Sequence, residues 1–137
     1  MTVHASARRA SIPKLIVVID DDPLVLEATG GLLQSWGCAV VTADTLAAAM
    51  VHLARHAQRP DLIVCDYRLS QGAQGIEVIE RLRSAFEIPA LLISGDAAAP
   101  PPEAANRTRT YKLLHKPLDA QKFRAALVNA SIIDSKL

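Results

Sequence analysis

Five short apolar runs recur along the chain, each followed by a longer segment with helical spacing, and few architectures accommodate that rhythm. The runs are LIVVI (15–19), AVVTA (39–43), LIVCD (62–66), ALLIS (90–94) and YKLLH (111–115). The first, third and fourth are almost continuously apolar, as parallel strands covered on both faces are. AVVTA is more mixed and suits a sheet edge. Asp22 and Pro23 form an N-cap and N1 pair for a helix reaching about Ser35, with Val25, Ala28, Leu32 and Trp36 at helical spacing and Gly37 as the stop. Leu46, Ala49, Met50, Leu53 and Ala57 make a second stripe that ends before Pro60. Ile76, Ile79, Leu82 and Phe86 make a third, after the glycine-bearing loop SQGAQG. The proline-led stretch APPPEAANRTRT predicts only a short or irregular helix near 102–108. Phe123, Leu127 and Ala130 mark the last helix, with Asp119 as its cap. This alternation predicts an α/β fold, a doubly wound five-stranded parallel sheet with right-handed crossovers.

At 137 residues the chain fits one domain with a proper core. Its formal net charge is +1 and its basic residues are scattered apart from Arg8 and Arg9, so no direct nucleic-acid partner is expected. Cys38 and Cys65 sit in apolar stretches without metal-type spacing, which suits buried thiols in a reducing compartment. The opening MTVHASARRASIP lacks the apolar core of a signal peptide, and no run approaches a membrane span. The expected location is cytoplasmic, without direct membrane contact. Residues 1–13 read as a flexible N-terminal arm or linker, 14–131 as the folded domain and 132–137 as a C-terminal tail.

In a sheet of this kind, ligands bind beyond the carboxyl ends of the strands, beside the point where strand order reverses. The residues at those ends are unusual: Asp20 and Asp21 after the first run, Asp66 ending the third, Ser94 ending the fourth and Lys116 after the fifth. Two like charges about 4 Å apart near a protein surface repel by about 4 kcal/mol, so converging carboxylates need a counter-charge. Hard oxygen donors suit Mg2+ or Mn2+. A metal there would neutralise charge on a phosphoryl group in flight, while Lys116 adds a second positive point and Ser94 a hydrogen bond. Asp66, at the end of the central strand, is the expected nucleophile, and a carboxylate attacking phosphorus yields an acyl phosphate.

The segments VVIDDDP, PDLIVCDYRLS, IPALLISGD and LLHKPL occur in the order and roughly the spacing of the receiver domains of two-component response regulators. From about residue 14 to 130 the chain resembles that family. The resemblance implies a flavodoxin-like (βα)5 fold with strand order 2-1-3-4-5. It implies Asp66 as phosphoacceptor, with Asp21 and Asp66 ligating Mg2+ directly, Asp20 acting largely through water, and the Arg68 backbone carbonyl completing the protein ligands. Ser94 would turn toward the phosphoryl group, Lys116 would pair first with Asp66 and then with the phosphate, and the Lys116–Pro117 bond would be cis. The implied partner is a histidine kinase or a histidine phosphotransfer protein, with a homodimer also open. The implied function is Mg-dependent phosphoryl transfer from phosphohistidine to Asp66 with slow autodephosphorylation, switching protein–protein contacts. Catalysis of its own modification alone would not make the chain a turnover enzyme.

Departures from the family pattern accompany these matches. Leu113 stands three residues before Lys116, where many receivers carry a Tyr or Phe that swings inward, so signalling through Ser94 and the fifth strand is expected to be muted or to use another surface. The loop YRLSQGAQG is one residue longer than the commonest form, and Ser70 replaces a frequent proline. The DYRL and LLHKP segments are similar to those of receivers at the C-terminus of hybrid sensor histidine kinases. With no output domain after residue 137, both a free-standing regulator and the receiver end of such a kinase are expected forms.

Several residues have simpler readings. Asp22 is explained fully as a helix cap. His52 and His56 stand at i and i+4 but lack a third ligand, so a metal site there is not expected. His115 alternates to the face opposite its neighbour Lys116, Cys65 points into the core, and Trp36 serves helix packing. Arg68 and Asp96 would form either a pair over the mouth of the site or an exposed pair of little consequence. Two rival functions stand beside the phosphoacceptor: a small α/β phosphatase with an aspartyl nucleophile, and a degenerate receiver that only binds protein. The phosphatase usually wants an acid two residues past the nucleophile, where this chain has Arg68; the full acidic set and Lys116 oppose the second rival.

Overall fold

The computed structural model describes residues 13–56, 58–69, 75–95 and 111–134. Among these, β1 (Leu15–Ile19), β3 (Leu62–Asp66) and β4 (Ala90–Ser94) are buried at every position, because their side chains meet a helical layer on either face. β2 (Ala39–Ala43) and β5 (Tyr111–His115) are only partly buried and form the two edges. The five strands run parallel in the order β2-β1-β3-β4-β5. Four helices are described: α1 (Pro23–Ser35), α2 (Leu46–Arg55), α3 (Gly75–Phe86) and α4 (Ala120–Asn129).

Alternation along the strands splits the apolar residues into two cores. Leu15, Val17, Ile19, Ile63, Cys65 and Leu92 pack with Ala49 and Leu53 of α2 and with Ile79 and Leu82 of α3. Ile16, Val18, Leu62, Val64 and Ile93 pack with Leu33 of α1 and with Phe123 and Leu127 of α4. Each Val, Leu, Ile or Phe among them contributes about 1.5–3 kcal/mol when fully buried. Phe123 is the largest wholly buried one, and Trp36 closes over it with ring centroids 5.7 Å apart, so Trp36 does serve packing.

Helix boundaries follow from local chemistry. The Asp22 carboxylate accepts the Leu24 N–H at 2.9 Å with Pro23 at the first helical position, and Gly37, at φ 88°, turns the chain out of α1. Thr45 caps α2 through the Ala48 N–H, and Asp119 caps α4 through Gln121 and Lys122.

Two helix faces differ from the sequence expectation. α1 buries Thr29, Gly30 and Leu33, whereas Ala28 is exposed and Val25, Leu32 and Trp36 lie half-buried. Gly30 faces β2 at ordinary contact distance, since a Cβ there would sit 3.7 Å from Val40 and 3.8 Å from Thr42. On α2, Ala49 and Leu53 carry the contact and Met50 is 42% exposed. The helix expected near 102–108, Ala57 and the N-terminal arm through residue 12 lie outside the described residues. Packing continues past residue 131, since Ile132 is buried in the α1 and α4 core and Ile133 rests against it.

Candidate functional site

Parallel strands deliver their carboxyl ends to one side of the molecule, and the acidic residues collect there. Asp20 follows β1, is 4% exposed, and accepts the Asp22 N–H at 2.9 Å through Oδ1. Asp66 ends β3 at 7% exposure. Asp21 is exposed, yet one carboxylate oxygen from each of the three lies within 4.8 Å of the others. Lys116 Nζ stands 3.2 Å from Asp66 Oδ1 and 3.6 Å from Asp20 Oδ2. Its backbone N–H donates to the Ser94 carbonyl at 2.8 Å, extending the pairing of β5 with β4, and the Lys116–Pro117 bond is cis. Ser94 is wholly buried at the end of β4, one residue beyond Ile93, which pairs in register with Asp66.

The electrostatics of this cluster are unbalanced. Burial pushes the Asp20 carboxyl above its ordinary value, and Asp66 and Asp21 add to that against the Asp22 N–H and Lys116. Burial likewise raises Asp66, although Lys116 pulls the other way. For Lys116 burial works downward, but the attraction and hydrogen bonds of Asp20 and Asp66 together outweigh it and the ammonium is raised. One ammonium thus fails to offset three acids. Repulsion between unit charges 4.8 Å apart, the upper bound on the separations in this trio, is about 3–4 kcal/mol at an effective dielectric constant of 20. An added cation relieves it.

One residue with a direct bearing on Asp66 was not singled out from the sequence. Gly75, the first residue of α3, packs so closely on the phosphoacceptor candidate that a Cβ there would lie 2.0 Å from the Asp66 carbonyl oxygen. Its N–H donates to the Tyr67 carbonyl at 2.7 Å, and Tyr67 N–H donates in turn to Ile93. In the sequence this glycine is one of two in SQGAQG and reads as loop flexibility.

The other singled-out residues separate cleanly. His52 Nδ1 lies 3.0 Å from the Thr42 carbonyl and His56 ends α2; among the described residues the one group of three or more metal-type side chains is the aspartate trio. His115 is exposed, and Cys65 is wholly buried in the α2 and α3 core with its thiol pushed up by burial. Arg68 is exposed, with its guanidinium carbon 6.0 Å from the Tyr67 ring centroid. Asp96 and Ser70 lie outside the described residues. No helix among the described residues is long and apolar enough to cross a membrane.

Fold, strand order and acidic pocket define a class, and the comparisons agree with it. The model of the response regulator receiver domain family matches residues 16–128, and the chain belongs to that family. It is thus a receiver domain of the two-component type. The phyllosphere-induced regulator PhyR of Methylorubrum extorquens is 29% identical over 79 residues, covering 58% of this chain and 30% of that protein. The transcriptional regulatory protein KdpE of Mycobacterium tuberculosis is 31% identical over 113 residues, covering 82% of this chain and 49% of that one. The chain therefore spans half or less of the length of these relatives. The solution structure of the Erythrobacter litoralis PhyR receiver domain superposes with a TM-score of 0.74 at 25% identity, covering 92% of this chain and 96% of that chain. The chemotaxis response regulator CheY4 of Vibrio cholerae shares the fold at a TM-score of 0.73 and 19% identity, covering 87% and 99%.

Proposed function

We propose that this receiver accepts a phosphoryl group on Asp66 from the phosphohistidine of a histidine kinase or a histidine phosphotransfer protein. The observation that carries the reading is the Lys116 ammonium at 3.2 Å from Asp66 Oδ1, inside a trio of acids with too little positive charge. In the step, an Asp66 oxygen attacks phosphorus, the P–N bond to the donor imidazole breaks with its electron pair going to nitrogen, and an acyl phosphate remains. Hydrolysis later returns the carboxylate and inorganic phosphate.

The donor set fits a hard divalent ion, since it consists of carboxylate oxygens close together and under-neutralised. Asp21, Asp66 and the Arg68 carbonyl would hold Mg2+, with Asp20 acting largely through water. Such an ion supplies charge neutralisation for the transferring group. Lys116 orients the Asp66 carboxylate and then follows the charge onto the phosphoryl oxygens, and Ser94 offers a hydroxyl to the same group. The burial of Asp66 keeps bulk water from most of the acyl phosphate, which favours slow hydrolysis. The acyl phosphate then biases the contacts this domain makes with its partner, and the cytoplasm is where such donors work.

Incubation with Mg2+ and a small acyl-phosphate donor, followed by intact mass and peptide mapping, tests the assignment. One added phosphate located on Asp66, absent from Asp66→Asn, is the expected result. An adduct on another residue refutes it, as does rapid release of phosphate over many turnovers without an adduct.

A further inference from the structure

Asp20 and Asp66 open inward onto a cavity whose apolar part phosphoryl transfer does not use. Its volume is about 320 Å³, within the range of small-molecule pockets, about 300–1,000 Å³. Val18, Val25, Ala28, Val64, Ile93 and Leu118 form apolar walls between α1, the sheet and the segment after β5, and Asp20, Asp66 and Lys116 close one end. Thr29 also lines the cavity at 7% exposure, and its hydroxyl takes part in none of the side-chain hydrogen bonds among the described residues. An apolar chamber with one hydroxyl on its wall and charge at its end has the features of a ligand site rather than a packing gap.

The charge at the closed end selects the head group. Two carboxylates, Asp20 and Asp66, against the one ammonium of Lys116 leave that end net negative. A metal ion answers the charge but leaves the valine and alanine walls uncovered. A primary aliphatic amine answers both: its ammonium donates to the Asp20 and Asp66 carboxylates while its chain covers the walls, and a hydroxyl along that chain would meet Thr29. We propose that this cavity binds a small amphipathic amine with its ammonium on Asp20 and Asp66, and that amine and divalent ion exclude one another. Only the consequence, a slower acceptance of phosphoryl groups by the amine-bound domain, rests on the function proposed above. Because the exclusion is thermodynamic, each ligand weakens the other by the same factor.

The test titrates n-hexylammonium into metal-free protein and follows the methyl NMR signals of Val25, Ala28 and Val64. Saturable shifts are expected, with affinity rising about fourfold for each methylene from butyl to hexyl and falling as Mg2+ is added. Ala28→Leu, at the exposed edge of the cavity, should weaken hexylammonium at least tenfold and leave Mg2+ affinity unchanged. Three results overturn the proposal: no saturable shift, equal binding of hexanol or hexanoate, or undiminished binding in Ala28→Leu. Phosphorylation of Asp66 is scored separately by mass. Methyl shifts without phosphorylation would remove the phosphoacceptor reading alone, and phosphorylation without shifts would remove the amine site alone.

Discussion

Replacing Gly75 with alanine probes how tightly α3 is seated on the strand that carries Asp66. The new Cβ would lie 2.0 Å from the Asp66 carbonyl oxygen, 2.9 Å from its carbonyl carbon and 3.1 Å from Leu92 Cδ1. Leu92 needs to give by only a few tenths of an ångström. Asp66 cannot give way, because β3 is hydrogen-bonded to β1 on one side and β4 on the other. Reaching 3.0 Å, below which real Cβ contacts are essentially never found, requires the first turn of α3 to withdraw by about 1 Å. That movement also stretches the Gly75 N–H bond to the Tyr67 carbonyl, 2.7 Å long. Overpacking costs about 1–3 kcal/mol and a weakened hydrogen bond about 1 kcal/mol, giving a loss of about 3 kcal/mol. A chain of this length has about 7–20 kcal/mol of stability, so the variant stays folded. Its Tm should fall by about 10–15 °C in thermal unfolding followed by circular dichroism. Since the displaced carbonyl belongs to Asp66, the rise in Tm on adding Mg2+ should shrink as well. A Tm within about 3 °C of the parent would refute the reasoning, by showing that the backbone at Asp66 yields freely.

The raised carboxyls make metal-free stability depend on pH. Burial lifts Asp20 and Asp66 in the folded state, so their contribution is fullest below the ordinary carboxylate range and is lost as pH rises through the raised values. Asp20→Asn should therefore stabilise the metal-free protein at neutral pH by on the order of 1 kcal/mol and lose that advantage in acid; a less stable variant at neutral pH contradicts this. Asp22→Ala should cost about 1 kcal/mol through the lost cap yet leave Mg2+ affinity unchanged in calorimetry, which separates capping from ligation. Lys116→Ala should abolish phosphate incorporation while tightening Mg2+ by on the order of tenfold, because the competing ammonium at 3.2 Å from Asp66 is gone; weaker Mg2+ binding would argue against that competition.

The strands were legible because each is short, apolar and bounded by polar or turn residues, and all five ranges match. The aspartates and Lys116 were legible for a related reason: a charged residue directly after a buried run has few places to go. What escaped was set by steric fit rather than polarity. The buried face of α1 includes Thr29 and Gly30, which an apolar count passes over. Gly75 is needed because of a carbonyl nine positions earlier in the sequence, and nothing in SQGAQG signals that contact. The cavity beside α1 escaped for the same cause, being an absence of side-chain volume.

The alternation of β3 gives the site an unplanned witness. Cys65 precedes Asp66 yet points into the opposite layer, wholly buried with its thiol held protonated. Alkylating reagents can reach it only when the central strand is transiently laid open, so its labelling rate under native conditions clocks the rarest openings of the molecule. Run with and without ligand, that clock reports how firmly the interior is locked from a position one peptide bond away from Asp66.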